Sequence, residues 1–215
     1  MAAILWDNDG VLVDTEMLYF EASRRVLAEL GFELTRERFV ELSLVQGKSA
    51  FEVAAEQGLS AEEVAAGVAR RNDVYLERLR QGVPLLEGVR ETLEGLRGRI
   101  TMGIVTSSRG DHFHAIHSGT GLLELMDFWL VREDYRLSKP HPEPYLTAVD
   151  RHGLDPAGCV VVEDTERGLR AALSAGLRCL VVPQGLSEGS DFSLAESCLE
   201  SVRDVPAELE RLGLL

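Results

Sequence analysis

Cysteine is scarce and scattered in this chain. Cys159, Cys179 and Cys198 form no CxxC pair and are odd in number, which excludes a disulfide framework and a thiolate zinc site; all three read as buried, reduced thiols. Long apolar runs are also missing, and nothing approaches the roughly 20 residues of a membrane-spanning helix. No basic leader precedes the first apolar run, Ile4-Leu5-Trp6, so the cytoplasm is the expected location. Positive charge is in short supply. A net charge of −14 argues against nucleic acid and anionic membranes as partners. Lysine is nearly absent: of 22 Lys plus Arg, only Lys48 and Lys139 are lysines, so each asks for a reason. At 215 residues there is room for one domain with an insert, and its core needs no disulfides.

What is present is a set of short apolar runs bounded by turn residues: Ala3–Trp6, Met102–Val105, Phe128–Val131, Cys159–Val162 and Cys179–Val182. Strands buried on both faces have this composition, and helical patterns between them predict a parallel α/β sheet. The alternation breaks from Thr15 to Val83. There Leu18, Ala22, Val26, Leu27 and Leu30 space as an amphipathic helix, and Ser60 followed by Glu63 predicts a capped helix through Leu79. A helical insert of this length, joined at Asp14-Thr15 and at Gln81-Gly82-Val83-Pro84, reads as a hinged lid. The expected architecture is a three-layer, Rossmann-like parallel sheet core (1–14 and 84–215) with an α-helical cap domain (15–83).

Four segments carry chemistry, each at the C-terminal end of an expected strand, where parallel sheets bind ligands. The first is Asp7-Asn8-Asp9-Gly10, two close carboxylates beside a glycine that permits a tight turn exposing backbone N–H groups to an anion. Two such carboxylates need a cation or a shared proton, and a hard divalent ion fits. The second, Thr106-Ser107-Ser108, supplies hydroxyls and amides for phosphate oxygens. The third places Lys139 in Ser138-Lys139-Pro140-His141-Pro142. The fourth is the acidic pair Glu163-Asp164. Nucleophile, charge neutralisation and positioning are the parts phosphoryl transfer needs.

The order and spacing of DxDGxxxDT, TSS after an apolar strand, KPxP and ED after another resemble the four motifs of the haloacid dehalogenase superfamily. The resemblance covers essentially the whole chain and is closest to the branch of β-phosphoglucomutase and the CbbY-type sugar-phosphate phosphatases. It implies Asp7 as nucleophile and Asp9 as general acid and base, with the Asp9 backbone carbonyl also ligating Mg2+. It further implies Thr106 on the phosphoryl oxygens, Lys139 as the neutralising cation, and Asp164 with Glu163 completing the metal site around Asp7. Gly10, Ser107 and, on the cap, Lys48 and Tyr19 are the expected substrate contacts. The dehalogenases of the superfamily lack the second Asp, so Asp9 favours phosphoryl transfer. Tyr19 stands where the mutases of the branch carry a cap histidine, and Gly47-Lys48-Ser49 offers a shifted lysine in place of their cap-loop arginine; both departures favour hydrolysis.

The expected function is therefore a phosphatase acting on a small phosphorylated metabolite through an aspartyl phosphate, as a monomer or weak dimer. A sugar-phosphate mutase and a non-catalytic binding protein on the same scaffold are the alternatives. Three further patterns are read as ordinary surface. Arg70-Arg71-Asn72 is taken as a solvated helix face. His112, His114 and His117 are taken as a helix surface rather than a metal site. Gly47-Lys48-Ser49 lacks the glycine and strand of a phosphate-binding Walker loop.

Overall fold

The computed structural model describes residues 2–215. The expected apolar runs form β1 (Ala3–Trp6), β2 (Thr101–Val105), β3 (Phe128–Leu130), β4 (Cys159–Glu163) and β5 (Arg178–Val181). A sixth strand, β6 (Ser197–Cys198), is too short to carry a sequence pattern. It sits at the sheet edge, which leaves Cys198 exposed and corrects its reading as a buried thiol; Cys159 and Cys179 are buried. Every strand pair is parallel, in the order β3-β2-β1-β4-β5-β6. The order in which strands are added reverses at β1, so the crevice beyond the carboxyl ends of β2, β1 and β4 is where such a sheet binds ligands.

The helices of the insert that follows β1 are α1 (Glu16–Glu29), α2 (Arg36–Phe39), α3 (Glu52–Glu56) and α4 (Ala61–Leu79), with a π-helical turn over Val40–Val45. The Ser60–Glu63 capping box forms as expected: the Ser60 side chain accepts from the Glu63 amide, and Glu63 accepts from the Ser60 amide. These helices bury their own apolar cluster, in which Phe20, Leu27, Phe39, Phe51, Val74 and Leu79 are at most 7% exposed. The chain enters and leaves this cap side by side. The Asp14 amide donates to Pro84 O at 3.2 Å, and the Leu86 amide to Leu12 O at 3.1 Å.

The remaining helices cover the sheet. Ile4, Trp6, Met102, Ile104, Val160 and Val162 point toward α5 (Val89–Leu96), α6 (Gly110–His117) and α9 (Val205–Arg211). The alternate residues Ala3, Leu5, Cys159, Val161, Cys179 and Val181 face α7 (Glu143–Arg151) and α8 (Glu166–Ser174). Period-two alternation in strands buried on both sides thus yields three layers.

Helix α6 departs from its expected role as a surface element. His114 is exposed, but His112 and His117 are 3% and 6% exposed. The cause is double coverage, by Phe113 and the sheet on one side and by cap residue Tyr75 on the other. Burial pushes the His117 imidazole down to about 4, although the charge of Asp9 works in the opposite direction. An unfolded histidine titrates near 6.5, so between pH 6.5 and 4 the unfolded chain binds a proton that the folded chain refuses. Stability present above pH 6.5 is lost as pH falls through that window, by about 3 kcal/mol from this group at the acid end. Thermal melts from pH 7 to 4 should fall more steeply for wild type than for His117→Gln; parallel curves would rule the assignment out.

Candidate active site

Strand β1 ends by handing the Asp7 amide to Val162 O at 2.9 Å, which sets the Asp7 side chain over the crevice. The chain then turns back on itself, with the Asn8 carbonyl accepting from the Leu12 and Val13 amides at 2.9 and 3.2 Å. Gly10 lies in this turn at φ 87°, and a Cβ there would run into the Asp164 carboxylate. The motif glycine is thus required by both backbone conformation and space.

Lys139 is 2% exposed and uses all three of its donors. Its Nζ is 2.6 Å from Asp7 Oδ1, 2.6 Å from Glu163 Oε1 and 2.8 Å from Val105 O. Burial disfavours the ammonium, but the two carboxylates outweigh burial and hold its pKa above the ordinary lysine range. Glu163 is spoken for on both oxygens: Oε1 also accepts from Tyr145 at 2.6 Å, and Oε2 from the Asp164 amide and Thr165 Oγ1. Burial works against the Glu163 charge too, yet Lys139 and these hydrogen bonds keep its pKa low.

The other two buried carboxylates fare differently. Asp7 is pushed up to about 7, by burial first, against the pull of Lys139 and with the help of Glu163 and Asp9. Asp164 is raised well above the carboxylate range by burial and by the charges of Glu16, Asp7 and Glu163. Both Asp164 oxygens are buried without a hydrogen-bond partner. Asp7, Glu163 and Asp164 each offer an oxygen within 4.8 Å of the others. Three neighbouring carboxylates, two bonded to one ammonium and the third with both oxygens unpartnered, are a donor set suited to a hard divalent cation.

Asp9 sits on a shelf of donors. Its Oδ1 accepts from Thr15 at 2.6 Å; its Oδ2 accepts from Ser108 at 2.7 Å, Thr106 at 3.1 Å and Asn8 at 3.2 Å. Thr106 Oγ1, expected on phosphoryl oxygens, is here directed at Asp9 while accepting from the Ser108 amide at 3.0 Å. Ser107 Oγ is buried without a partner. Thr15 and Asn8 are site residues to which the sequence assigns no role, although both lie within the first motif; Ser108, expected with its segment on phosphate oxygens, bonds Asp9 here.

The cap closes the site from above. Gly47, at φ 68°, abuts the lysine segment so closely that a Cβ would lie 2.7 Å from Lys139 O, which brings the exposed Lys48 to the seam between cap and core. Tyr19 packs edge-on against Tyr75 at 5.0 Å. Arg71 corrects the expectation of a solvated face: Arg70 is exposed, but Arg71 is 5% exposed because the Tyr19 and Phe51 rings cover it, its guanidinium lying 4.3 and 5.8 Å from their centroids. Its hydrogen bonds go to neutral partners, Asn72 Oδ1 at 3.0 Å and Ser23 Oγ at 3.3 Å, and it forms no salt bridge among the described residues. Beside it, His112 Nε2 is buried without a partner. Burial, then Asp111, Arg109, Arg71 and Asp9, shape its lowered pKa, so this cationic, aromatic roof lies within electrostatic reach of the catalytic turn.

The family model of haloacid dehalogenase-like hydrolases matches residues 4–182. Hexitol phosphatase B of Escherichia coli K12 is 31% identical, with 96% of this chain and 95% of that protein covered. A phosphorylated-carbohydrate phosphatase of Thermotoga maritima is 32% identical over 88% of each chain. Among solved structures, CbbY of Rhodobacter sphaeroides in complex with xylulose-1,5-bisphosphate superposes with a TM-score of 0.83 at 26% identity, covering 95% of this chain and 96% of that one. With four motif segments gathered at the ends of β1, β2 and β4 and matches of this extent, the chain belongs to the haloacid dehalogenase-like hydrolases.

Proposed function

We propose that this enzyme is a Mg2+-dependent phosphatase of small phosphorylated sugars or polyols that works through a phosphoryl group carried on Asp7. The observation that carries the reading is the buried Lys139 clamp on Asp7, with a second carboxylate, Asp9, held two residues away on hydroxyl donors. Asp7 attacks phosphorus, and the bond from phosphorus to the alcohol oxygen breaks. Asp9 gives that oxygen its proton. Asp9 then takes a proton from water, whose oxygen attacks phosphorus and frees Asp7 and inorganic phosphate. Lys139 offsets the charge on Asp7 and on the transferring group, and the Ser107 hydroxyl supports a phosphoryl oxygen. Asp164 and Asp7 would hold Mg2+, with the Asp9 carbonyl. Glu163, its oxygens already bonded, would serve the site by fixing Lys139. Bound there, Mg2+ would neutralise and orient the phosphoryl oxygens.

Residues 15–83 form the moving lid in this reading, swinging about the paired crossings at Asp14–Pro84 and Leu12–Leu86. Arg71, Tyr19, His112 and Lys48 then meet the alcohol portion of the substrate. The relatives named phosphatases support hydrolysis, and the mutase alternative is not favoured.

Phosphate release from a panel of sugar and polyol phosphates should require Mg2+, stop in EDTA and fall at least ~1,000-fold in Asp7→Asn. Release that persists in the variant would remove Asp7 as nucleophile. Asp164→Asn removes a carboxyl that must take up a proton to be buried without a partner, so its metal-free melting temperature at neutral pH should rise above wild type while the stabilisation by added Mg2+ disappears; an unchanged Mg2+ response would exclude Asp164 from the site. Arg71→Ala should raise KM for sugar phosphates by about 10-fold and leave p-nitrophenyl phosphate little affected, because only the sugar reaches the roof. Equal losses with both would place Arg71 in the cap fold alone.

A further inference from the structure

The residue between the two motif aspartates is an asparagine with no exposed surface, and its amide is bonded at both ends. Asn8 Nδ2 lies 3.2 Å from Asp9 Oδ2, and Asn8 Oδ1 lies 2.7 Å from His117 Nε2. Chemistry orients this chain. Turning the amide over would set its oxygen against a carboxylate oxygen, acceptor to acceptor, so the NH2 faces Asp9 and the oxygen faces the ring. His117 must then carry its proton on Nε2. Nδ1 is left as the acceptor, and Thr120 Oγ1 stands 3.2 Å from it, its hydroxyl proton shared between Nδ1 and the His117 carbonyl oxygen at 3.3 Å. Thr120 takes the Leu122 amide on its other side at 3.2 Å. Donation runs one way, from His117 to Asn8 to Asp9, with the Thr120 hydroxyl behind the ring. The buried, neutral state of His117 suits this arrangement, since an imidazolium has no acceptor nitrogen for Thr120.

Helix α6 therefore grips Asp9 from both ends. Ser108, just before the helix, bonds Asp9 directly, and His117, its last residue, reaches it through Asn8. Apolar side chains could fill the same space without burying an amide and an imidazole, whose desolvation must be made good by hydrogen bonds.

We propose that His117 and Asn8 are positioning residues for Asp9, fixing through one oriented hydrogen-bond chain the carboxylate that protonates the departing alcohol. The inference rests on the reading of Asp9 as general acid, and the test separates the two. The measure is kcat/KM, which reports the steps through alcohol departure, for the best sugar phosphate of the panel and for p-nitrophenyl phosphate, whose leaving group hardly needs a proton. Misplacing a general acid that contributes ~100-fold or more should cost the alkyl substrate about 10-fold and the aryl substrate less than about 3-fold in His117→Leu and in Asn8→Leu. His117→Gln keeps an N–H donor near the same place and should recover most of the loss. Asn8→Leu combined with His117→Leu leaves no orphaned polar group, so its melting temperature should return toward wild type while the alkyl-selective loss stays.

Equal losses for both substrates, or activity that returns with the melting temperature in the double variant, would reduce the pair to a structural role and overturn the proposal. Asp9→Asn is the reference. If that variant itself showed no selectivity for the alkyl substrate, Asp9 would not be the acid and the proposal would fall with the reading beneath it.

Discussion

The bond set on which the rest of the site depends is the buried ammonium of Lys139 between Asp7 and Glu163. Charges this deep are costly to desolvate, and a lone carboxylate in the crevice would take up a proton. One lysine opposes that at two of its neighbours, keeping the Glu163 pKa low while that of Asp7 still rises to about 7, and a third acceptor, the Val105 carbonyl, completes its hydrogen bonding. The cluster holds more carboxyl groups than cations, and the one left over is Asp164, whose oxygens find no donor and whose pKa is driven upward by burial and its acidic neighbours. In a chain with a net charge of −14, an anionic substrate meets a favourable potential only where such local arrangements reverse the global sign. Lys139 below and Arg71 above supply part of that reversal, and in the proposed reading a bound divalent cation would supply the rest.

The sheet makes this possible because three neighbouring strands end at one place. β1 carries the aspartate turn, β2 leads into the hydroxyl segment and β4 ends in the acidic pair, so residues far apart in sequence converge without any long loop. In the proposed reading, rigid strands set the reacting groups, while the alcohol portion is left to a cap attached through two adjacent crossings. That division lets the cap vary with the substrate and leaves the phosphoryl chemistry alone.

Legibility in the sequence follows the same division. Strand-end residues can be read directly, because a buried apolar run rarely stops at a polar group such as Asp7, Thr106 or Glu163 unless that strand end faces a ligand. The cap roof cannot be read, because Arg71 on α4 and Tyr19 on α1 meet only when two helices pack, and an arginine covered by rings has the same spacing as an arginine in water. The histidines of α6 are hidden for a related reason. The face that buries His112 is completed by Tyr75, a cap residue, and helical periodicity within α6 holds no trace of it. Cys198 escapes burial through its edge position, which an apolar count does not register. Asn8 reads as a spacer because nothing in the DxD spacing marks the middle side chain as buried.

The scarcity of lysine now has a physical account at one of its two positions. In a chain that otherwise uses arginine for its positive charge, Lys139 must reach three acceptors from three directions at 2.6–2.8 Å: a carboxylate just past β1, a carboxylate on β4 and a backbone carbonyl on β2. An ammonium directs its three protons tetrahedrally and is compact enough to sit among them, 4.8 Å from the Tyr145 ring centroid. A guanidinium directs its donors in one plane and would need the acceptors coplanar and more room between them. Arg71 presents the complementary case, a flat cation layered on the Tyr19 ring, where planarity is the advantage and a lysine would lose the stacking. Lys139 and Arg71 are therefore not interchangeable. The geometry of their partners selects between them, and a composition that favours arginine everywhere else makes that selection visible at Lys139.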